Sequence, residues 1–546
     1  MKYYLSKANL IVENPRLNSI SDILVSETFS IILGRFFSEY KTKKSLEDSF
    51  NLNNILSAYK AIICKDANIS INSLIAQYTS EFIDFNEDFY DHWRKINRYC
   101  LLKDEMNLVE TSERLNNLVL SLYREIQQSL MNTKFLVYRQ LPAGFNALLS
   151  VTDINLGLRG NYKKLSGIPY ITQALIKPPF IINTASNTRT DFFSETKIDI
   201  LENTNIKENE FCCYPVYVGT LKAYVYCHYS LLHHLVSLAN LFEPIPKKHF
   251  ENSNPDLICL FGVDNKDLDG MIFHDKKNKI YTGLIHKIPK NDYFGYMKKM
   301  LLTLHNLHSI DNNKLPIHGA MVSIITNDNK EKNIAIIGDS GAGKSETLEA
   351  LRIIASDKIK HMNVVFDDMG TFKFQDNFIT ASGTEIGAFV RLDDLEDEYV
   401  YQEIDRAIFI NPNQKNARVV LPISNYGFIS KDYHVDMVLY ANNYSKSESG
   451  IKIYDEVDMA LKEFIAGKRL AKGTTSEVGL TKSFFANPFG PLQRKNQTKK
   501  MITSYFKVLF DNNIPIGTIY TKLAVKGYEA KGPQSAAQEL IKYIIK

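Results

Sequence analysis

The chain has 546 residues, with 65 Lys+Arg against 61 Asp+Glu and a net charge of +4. That near balance excludes nucleic-acid binding carried by a large basic excess, and 45% apolar with 23% charged residues excludes a chain that is disordered throughout. With 26 glycines and 17 prolines, collagen-like and low-complexity architectures are excluded too, and the length predicts several domains with cores of their own.

Residues 1–135 read as a helical N-terminal region. SDILVSETFSIILGRFFSEY (21–40) opens on Ser21 as an N-cap and carries apolar residues at helical spacing. TSERLNNLVLSLYREIQQSLM (111–131) places Leu115, Leu118, Leu122, Ile126 and Leu130 on one stripe. No catalytic cluster stands in this region, and a packing domain or a partner-binding domain both account for it. Residues 136–290 change texture. FLVYRQL, PPFIINTA, YPVYVGTLKAYVYCHY and KIYTGLIHKI are rich in β-branched and aromatic residues, and polar connectors such as ENTNIKENE (202–210) separate them. A mixed α/β domain is expected. The acidic run DDLEDE (393–398) reads as a solvated face or loop.

The six cysteines, Cys64, Cys100, Cys212, Cys213, Cys227 and Cys259, form no C-x-x-C pair. They read as buried or inert thiols of a reducing compartment. The opening MKYYLSKANLIVENPRL lacks the apolar run and small-residue cleavage site of a secretory signal, and no stretch is apolar enough to span a membrane. A cytoplasmic location is the expectation.

The strongest signal is NIAIIGDSGAGKSETLEALRII (333–354). Asn333–Ile337 reads as a short strand. Gly338, Gly343, Lys344 and Ser345 match G-x-x-x-x-G-K-[ST], and Leu348, Leu351 and Ile354 mark the apolar side of the helix that follows. Glycines let successive backbone N–H groups turn inward around phosphate oxygens, and the helix N-terminus adds its dipole. Gly338, Asp339, Ser340, Gly341, Ala342, Gly343, Lys344, Ser345 and Glu346 therefore form the expected nucleotide cradle. Lys344 is placed to reach the β- and γ-phosphates, and Ser345 to offer its hydroxyl to Mg²⁺. Downstream, HMNVVFDD (361–368) reads as a strand ending on Asp367 and Asp368, and a carboxylate at the end of a neighbouring strand is the metal partner such loops need.

The residues around this loop resemble a known family. GDSGAGKSE, with Glu346 after the serine, is similar to the loop of HPr kinase/phosphorylase. Tyr293-Phe-Gly-Tyr-Met-Lys298-Lys299 resembles the Y-G-G-E-M-K-K segment of phosphoenolpyruvate carboxykinase (PEPCK), and Leu315-Pro-Ile-His318-Gly resembles its L-P-M-H-C segment. Asn416-Ala-Arg418-Val-Val-Leu-Pro422 looks like the family's N-T-R-x-x-Y-P element. Gly473–Gly479 and Phe485-Ala-Asn-Pro-Phe489-Gly look like its G-T-E-R-G … F-x-x-C-F-G region. The resemblance covers residues 291–546.

It implies an α/β fold, with a PEPCK-like C-terminal nucleotide- and metal-binding domain built on a mixed sheet. The mixed α/β domain (136–290) and the helical region (1–135) precede it. It implies ATP, Mg²⁺ and Mn²⁺ as cofactors. Lys299, His318 and one of Asp367 and Asp368, with Asp368 favoured, would hold Mn²⁺. Ser345 would meet the Mg²⁺–ATP, and Asp367 would stand there or behind the metal's ligands. A lysine ligand needs a neutral amine, which a nearby dication enforces by depressing its pKa. Lys298, Lys344, Arg418 and Tyr293 would be catalytic, the cations neutralising transferring phosphate and Tyr293 positioning substrate. Without the resemblance, His318 reads as a core histidine and Lys299 as a surface charge.

The sequence departs from the family at two places. Val478 stands where the G-T-E-R-G arginine contacts nucleotide. The N-terminal R-x-G-R-S-P-K-D segment, whose arginine takes a substrate carboxylate, has no counterpart, and neither Arg139 nor Arg189 stands in a matching context. Three readings follow. One is a PEPCK-type lyase acting on oxaloacetate and ATP. The second is a kinase whose acceptor is a protein serine or a small hydroxylated molecule. The third is a non-catalytic nucleotide-binding module. The expected partners are a nucleotide and a small-molecule substrate of dicarboxylate type or a protein substrate, with no nucleic acid and no membrane span.

Overall fold

The structure is a computed structural model. It describes the chain apart from residues 1–2, 7–8, 16, 45–46, 66–68, 104–106, 132–142, 155, 157, 178–179, 191, 252, 393–404, 448, 472–478 and 546. The expected strand at 135–141, Arg139, DDLEDE, and Gly473 to Val478 therefore lie outside the described residues. The chain packs as two compact units, Met1–Asp153 with Pro169–Phe180, and Ile154–Ile168 with Ile181–Lys546. Both mix helices with sheets, so the α/β class holds. No helix among the described residues is long and apolar enough to cross a membrane.

In the first unit, helices surround a small sheet. The stripe of the helix Leu108–Met131 buries Leu115, Leu122, Ile126 and Leu130, with Leu118 half-buried beside them. The helix expected from Ser21 is two helices, Ile20–Leu24 and Glu27–Lys43. Ser19 caps the first in a reciprocal box with Asp22, and Ser26, extended, caps the second by accepting from the Phe29 N–H. Two caps within one apolar run interrupt it, because each satisfies the orphan N–H groups of its own helix. Strands stand beside these helices. Asn9–Glu13 pairs in parallel with Asn97–Lys103, which pairs in parallel with Ala147–Thr152. Parallel strands buried on both faces read as short apolar runs without alternation, which hid them in a helical context.

The second unit contains a mixed sheet in which Phe211–Val218 and Leu221–His228 form a hairpin. Leu257–Val263 and Ile280–His286 then add in parallel. Phe211–Val218, Leu221–His228 and Ile280–His286 fall in the aromatic and β-branched runs read from the sequence, and Leu257–Val263 is an additional strand. A second sheet centres on the 12-residue strand Leu315–Thr326. On one edge this strand pairs with the phosphate-loop strand Glu331–Ile337, and it also pairs with Ile359–Phe366 and with Met369–Gln375. Glu331–Ile337, Met437–Asn442 and Ile516–Tyr520 continue in parallel, with the loop helix Lys344–Ile354 packed against the C-terminal helix Lys531–Ile544. A small antiparallel sheet joins Gly387–Arg391, Arg418–Pro422 and Ile408–Ile410.

The helix Phe294–Asp311 is buried on nearly every side and packs against strands of both larger sheets. It comes close to Ile280–His286 because Gly283 has no side chain there, since a Cβ would stand 2.3 Å from the Met300 sulfur. Its Met and Leu side chains each contribute about 1.5–3 kcal/mol on burial. That offsets the cost of taking Lys298 out of water on the same helix. Of the cysteines, five are buried and Cys64 is exposed, so inertness by burial does not extend to Cys64. All six are free thiols.

Candidate functional site

Sheet register assembles the site. His318 lies in the central strand, where it pairs with Met369, and its neighbour Gly319 pairs with Ile337. The Gly338 N–H donates to the His318 carbonyl at 3.1 Å, and the Gly319 N–H donates to the Asp368 carbonyl at 3.0 Å. One strand thus ties the start of the phosphate loop to the acidic pair.

The loop has the geometry its sequence requires. Gly341 and Gly343 have φ of +75° and +88°, and at Gly343 a Cβ would also stand 2.6 Å from the Thr521 Cβ. Thr521 donates to the Ala342 carbonyl at 2.7 Å, and Asn443 donates to the Gly341 carbonyl at 2.9 Å. Lys344 is buried and donates to the Asp339 carbonyl at 3.1 Å. Ser345 is exposed and donates to Asp367 at 3.0 Å, which brings the two expected Mg²⁺ partners together. Leu348 and Leu351 are buried and Ile354 is half-buried, as the helical pattern predicts. Glu346 is half-buried on the first turn.

Asp339 differs from the expected cradle role. Its carboxylate accepts from the Ser340 N–H at 2.7 Å and from Arg469 Nε at 2.9 Å. Burial would raise its pKa, but His318 and Arg469 hold it below the ordinary range. Turned inward, this carboxylate fixes the loop's shape and takes up the Ser340 N–H, while the Ala342 N–H donates to the Asp339 carbonyl at 3.1 Å.

The expected Mn²⁺ set converges as well. Asp368 meets Lys299 at 2.7 Å, Lys298 at 2.8 Å and His318 Nε2 at 3.0 Å. Burial alone would push the Asp368 carboxyl up, but the two lysines and His318 hold it well below the usual range. For Lys299, burial wins over Asp368 and its pKa is lowered. For Lys298, burial loses to Asp368 and Glu385 and its pKa is raised. Adjacent lysines are thereby differentiated: Lys298 is a fixed cation, and Lys299 moves toward the neutral amine that a metal ligand must be. His318 Nδ1 donates to the Ala486 carbonyl at 2.5 Å, which fixes the ring with Nε2 3.0 Å from Asp368 Oδ1. The donor set of one amine, one imidazole and one carboxylate fits a divalent transition metal. Phe485 and Ala486 have φ of +55° and +49° and are fully buried. A left-handed non-glycine residue costs on the order of 1–3 kcal/mol, and the carbonyl aimed at His318 is what that strain maintains.

Two phenylalanine rings gather the cations around this cluster. The Phe389 ring has Lys298 Nζ at 5.9 Å and the Arg418 guanidinium at 5.5 Å. The Phe489 ring has Lys299 Nζ at 4.6 Å and the Arg189 guanidinium at 4.8 Å. Tyr293 is buried at 5.9 Å from the Phe389 ring. Burial raises its hydroxyl pKa, and the facing Arg418, Arg189 and Lys298 pull the other way. Arg418 stands directly opposite Arg391 across the strand pair. Like charges so placed repel unless an anion lies between them or beside them.

Lys298, Lys299, His318, Asp368, Tyr293 and Arg418 therefore fall around one cluster, with Asp339 of the phosphate loop beside His318. Among the described residues Glu346 makes no contact with it, and Gly473 to Val478 lie outside the described residues. Three further side chains join the site, Arg469 and Glu385 without any motif and Arg189 after lacking a matching context in the sequence. Arg189 had no motif context, yet it shares Phe489 with Lys299. Arg469, buried on the strand Lys468–Leu470, supports Asp339. Glu385 pairs with Lys298 at 2.8 Å. Burial, opposed by Lys298 and reinforced by Asp368, pushes its pKa up to about 7. The only sequence signal for Arg189 was a lone arginine in a polar stretch just after an apolar strand. No protein-family model matches the chain, and no curated protein matches it in sequence.

Proposed function

We propose that the chain catalyses ATP-dependent phosphoryl transfer of the PEPCK type, converting oxaloacetate and ATP to phosphoenolpyruvate, CO₂ and ADP. The observation that carries this reading is the meeting of Lys299, His318 and Asp368 beside a phosphate loop whose Ser345 already holds Asp367.

The loop N–H groups and Lys344 bind the β- and γ-phosphates, and Ser345 with Asp367 would hold Mg²⁺. Lys299, His318 and Asp368 would hold Mn²⁺, which supplies Lewis-acid charge beside the oxygen that becomes anionic. Arg189 and Arg418, backed by Phe489 and Phe389, hold the substrate's carboxylates, and Tyr293 orients it. Loss of CO₂ breaks the carbon–carbon bond to the leaving carboxyl group and leaves its electron pair as an enolate. The enolate oxygen bonds to the γ-phosphorus as the bond to the β–γ bridging oxygen breaks, and ADP leaves. Lys298, held cationic by Asp368 and Glu385, stabilises the charge that spreads over the transferring group.

Arg189 supports the lyase over the kinase reading, because it supplies the carboxylate-binding cation that the motif comparison lacked. The kinase reading keeps one specific support, Ser345-Glu346 in the loop. Purified protein with Mn²⁺, Mg²⁺, ATP and oxaloacetate should form ADP and phosphoenolpyruvate in equal amounts, and Lys344→Ala should abolish both. ATP-dependent labelling of a protein or hydroxylated acceptor without phosphoenolpyruvate would move the assignment to a kinase. Nucleotide binding with no turnover on any acceptor would leave a binding module.

A further inference from the structure

A second cluster of metal-ligating side chains lies in the same unit and shares no residue with the phosphate-loop site. His233 and His234 are consecutive residues of the helix Leu232–Ser237, and both are buried. Their Nε2 atoms lie 3.1 Å from each other. Both face the same oxygen: His233 Nε2 is 3.0 Å and His234 Nε2 is 2.8 Å from Asp292 Oδ1. Asp292 is itself held, since its Oδ2 accepts from the Ala185 N–H at 2.8 Å and its backbone carbonyl accepts from the Ser186 N–H at 3.2 Å. Among the described residues, His233, His234 and Asp292 form the one histidine–carboxylate group compact enough to hold a metal ion.

Proton bookkeeping argues against a purely hydrogen-bonded triad. If both imidazoles carry the proton on Nε2, two N–H bonds crowd one carboxylate oxygen with their hydrogens close together. If one does not, its lone pair and the carboxylate oxygen must share the other imidazole's single N–H. A cation at the centre removes the conflict, because all three atoms then offer lone pairs to it. The sizes agree. Donor atoms about 2.0–2.1 Å from a tetrahedral ion stand about 3.3 Å apart, a few tenths of an ångström more than the separations here. Two imidazoles and one carboxylate are the donor set of zinc sites that keep an open fourth position. The Ala185 N–H plays the orienting part that such ligating carboxylates need.

We propose that His233, His234 and Asp292 bind a divalent transition-metal ion, zinc by its donor set, at a site separate from the phosphate loop. The placement gives that ion a positioning role. Asp292 directly precedes Tyr293, and the Ala185–Ser186 segment it holds leads to Arg189. The ion pins the helix Leu232–Ser237, the start of the lysine-bearing helix and the Arg189 segment to one point.

The test uses the full chain, stripped with a chelator and titrated with Co²⁺ as a spectroscopic stand-in. In a His318→Ala/Asp368→Asn background, which removes donors of the other site, about one equivalent of Co²⁺ should still bind with visible d–d absorption. Adding His233→Gln or His234→Gln should abolish those bands and weaken Co²⁺ binding at least about tenfold. Should that background fold poorly, metal analysis of otherwise wild-type protein serves, with each glutamine variant expected to hold about one Zn²⁺ fewer than wild type. Hydrogen exchange supplies an activity-free readout, since metal removal should speed exchange of the Ala185 and Ser186 amides. Undiminished Co²⁺ affinity in both glutamine variants, or no Co²⁺ bound by the double variant and no Zn²⁺ difference among the single ones, overturns the proposal. Failure of the lyase assay leaves it untouched.

Discussion

Asp368→Asn is the most informative single change. The substitution keeps the side chain's shape and removes the charge that meets Lys298 at 2.8 Å, Lys299 at 2.7 Å and His318 at 3.0 Å. Removing one partner of a buried ion pair costs about 3–5 kcal/mol. Lys298 keeps Glu385 at 2.8 Å, so most of the loss falls on Lys299, and about 3 kcal/mol is expected at pH 7. The pH dependence follows from the signs. In wild type the Asp368 pKa is depressed on folding, so its contribution is full above the ordinary carboxylate value and fades as pH falls below about 4. The gap between wild type and variant therefore closes on the acid side. In the variant, Lys299 without its anion has a pKa lowered further. The unfolded chain then binds more protons, and stability rises as pH climbs toward the free lysine value. The assay is urea unfolding followed by circular dichroism. The single tryptophan, Trp93, is buried in the first unit's core and provides a separate signal for that unit. A stability at pH 7 within about 0.5 kcal/mol of wild type would refute the reasoning.

Gly343→Ala forces φ +88° on an L-residue and drives a Cβ onto Thr521, so it should lose at least about 1–2 kcal/mol and the thermal stabilisation that Mg²⁺–ATP confers. Asp367 is pushed up to about 6 by burial against the pull of Lys344 and Ser345. Asp367→Asn should therefore stabilise the nucleotide-free chain, by up to about 3 kcal/mol above pH 6 and by little below pH 4, while weakening Mg²⁺–ATP binding in calorimetry. Mg²⁺–ATP affinity of wild type should fall as pH drops through about 6, and a flat profile from pH 5 to 7 would contradict the assigned role of Asp367. Arg189→Ala should raise the KM for oxaloacetate at least about tenfold and leave that for ATP nearly unchanged, measured by steady-state kinetics.

The phosphate loop was legible because its chemistry is local: glycines at fixed offsets, a strand before them and a helix after. The meeting of Lys299, His318 and Asp368 was expected only through segment resemblance, since nothing in the helix Phe294–Asp311 marks Lys298 as buried or Lys299 as half-buried. Their opposite pKa shifts follow from burial, which Asp368 and Glu385 outweigh at Lys298 but not at Lys299, and the fold delivers both carboxylates from connections between strands. Arg189 could be named in the sequence but not placed, because its partner ring, Phe489, lies far along the chain. The His233–His234–Asp292 cluster left only a histidine pair in the sequence, and the carboxylate that completes it comes from the turn before Tyr293. In the N-terminal region, helix stripes were readable from periodicity, but the buried parallel strands Asn9–Glu13 and Asn97–Lys103 were not, because strands covered on both faces lose the alternation that announces them.

The central claim is that Lys299, His318 and Asp368 serve phosphoryl transfer to an enolate formed from oxaloacetate. Phosphorus NMR of wild type with ATP, oxaloacetate, Mg²⁺ and Mn²⁺ tests it directly. The account predicts a growing phosphoenolpyruvate resonance matched by loss of the γ-phosphate signal, and no such resonance with His318→Ala. Turnover of ATP without phosphoenolpyruvate, or an undiminished phosphoenolpyruvate signal from His318→Ala, would contradict it.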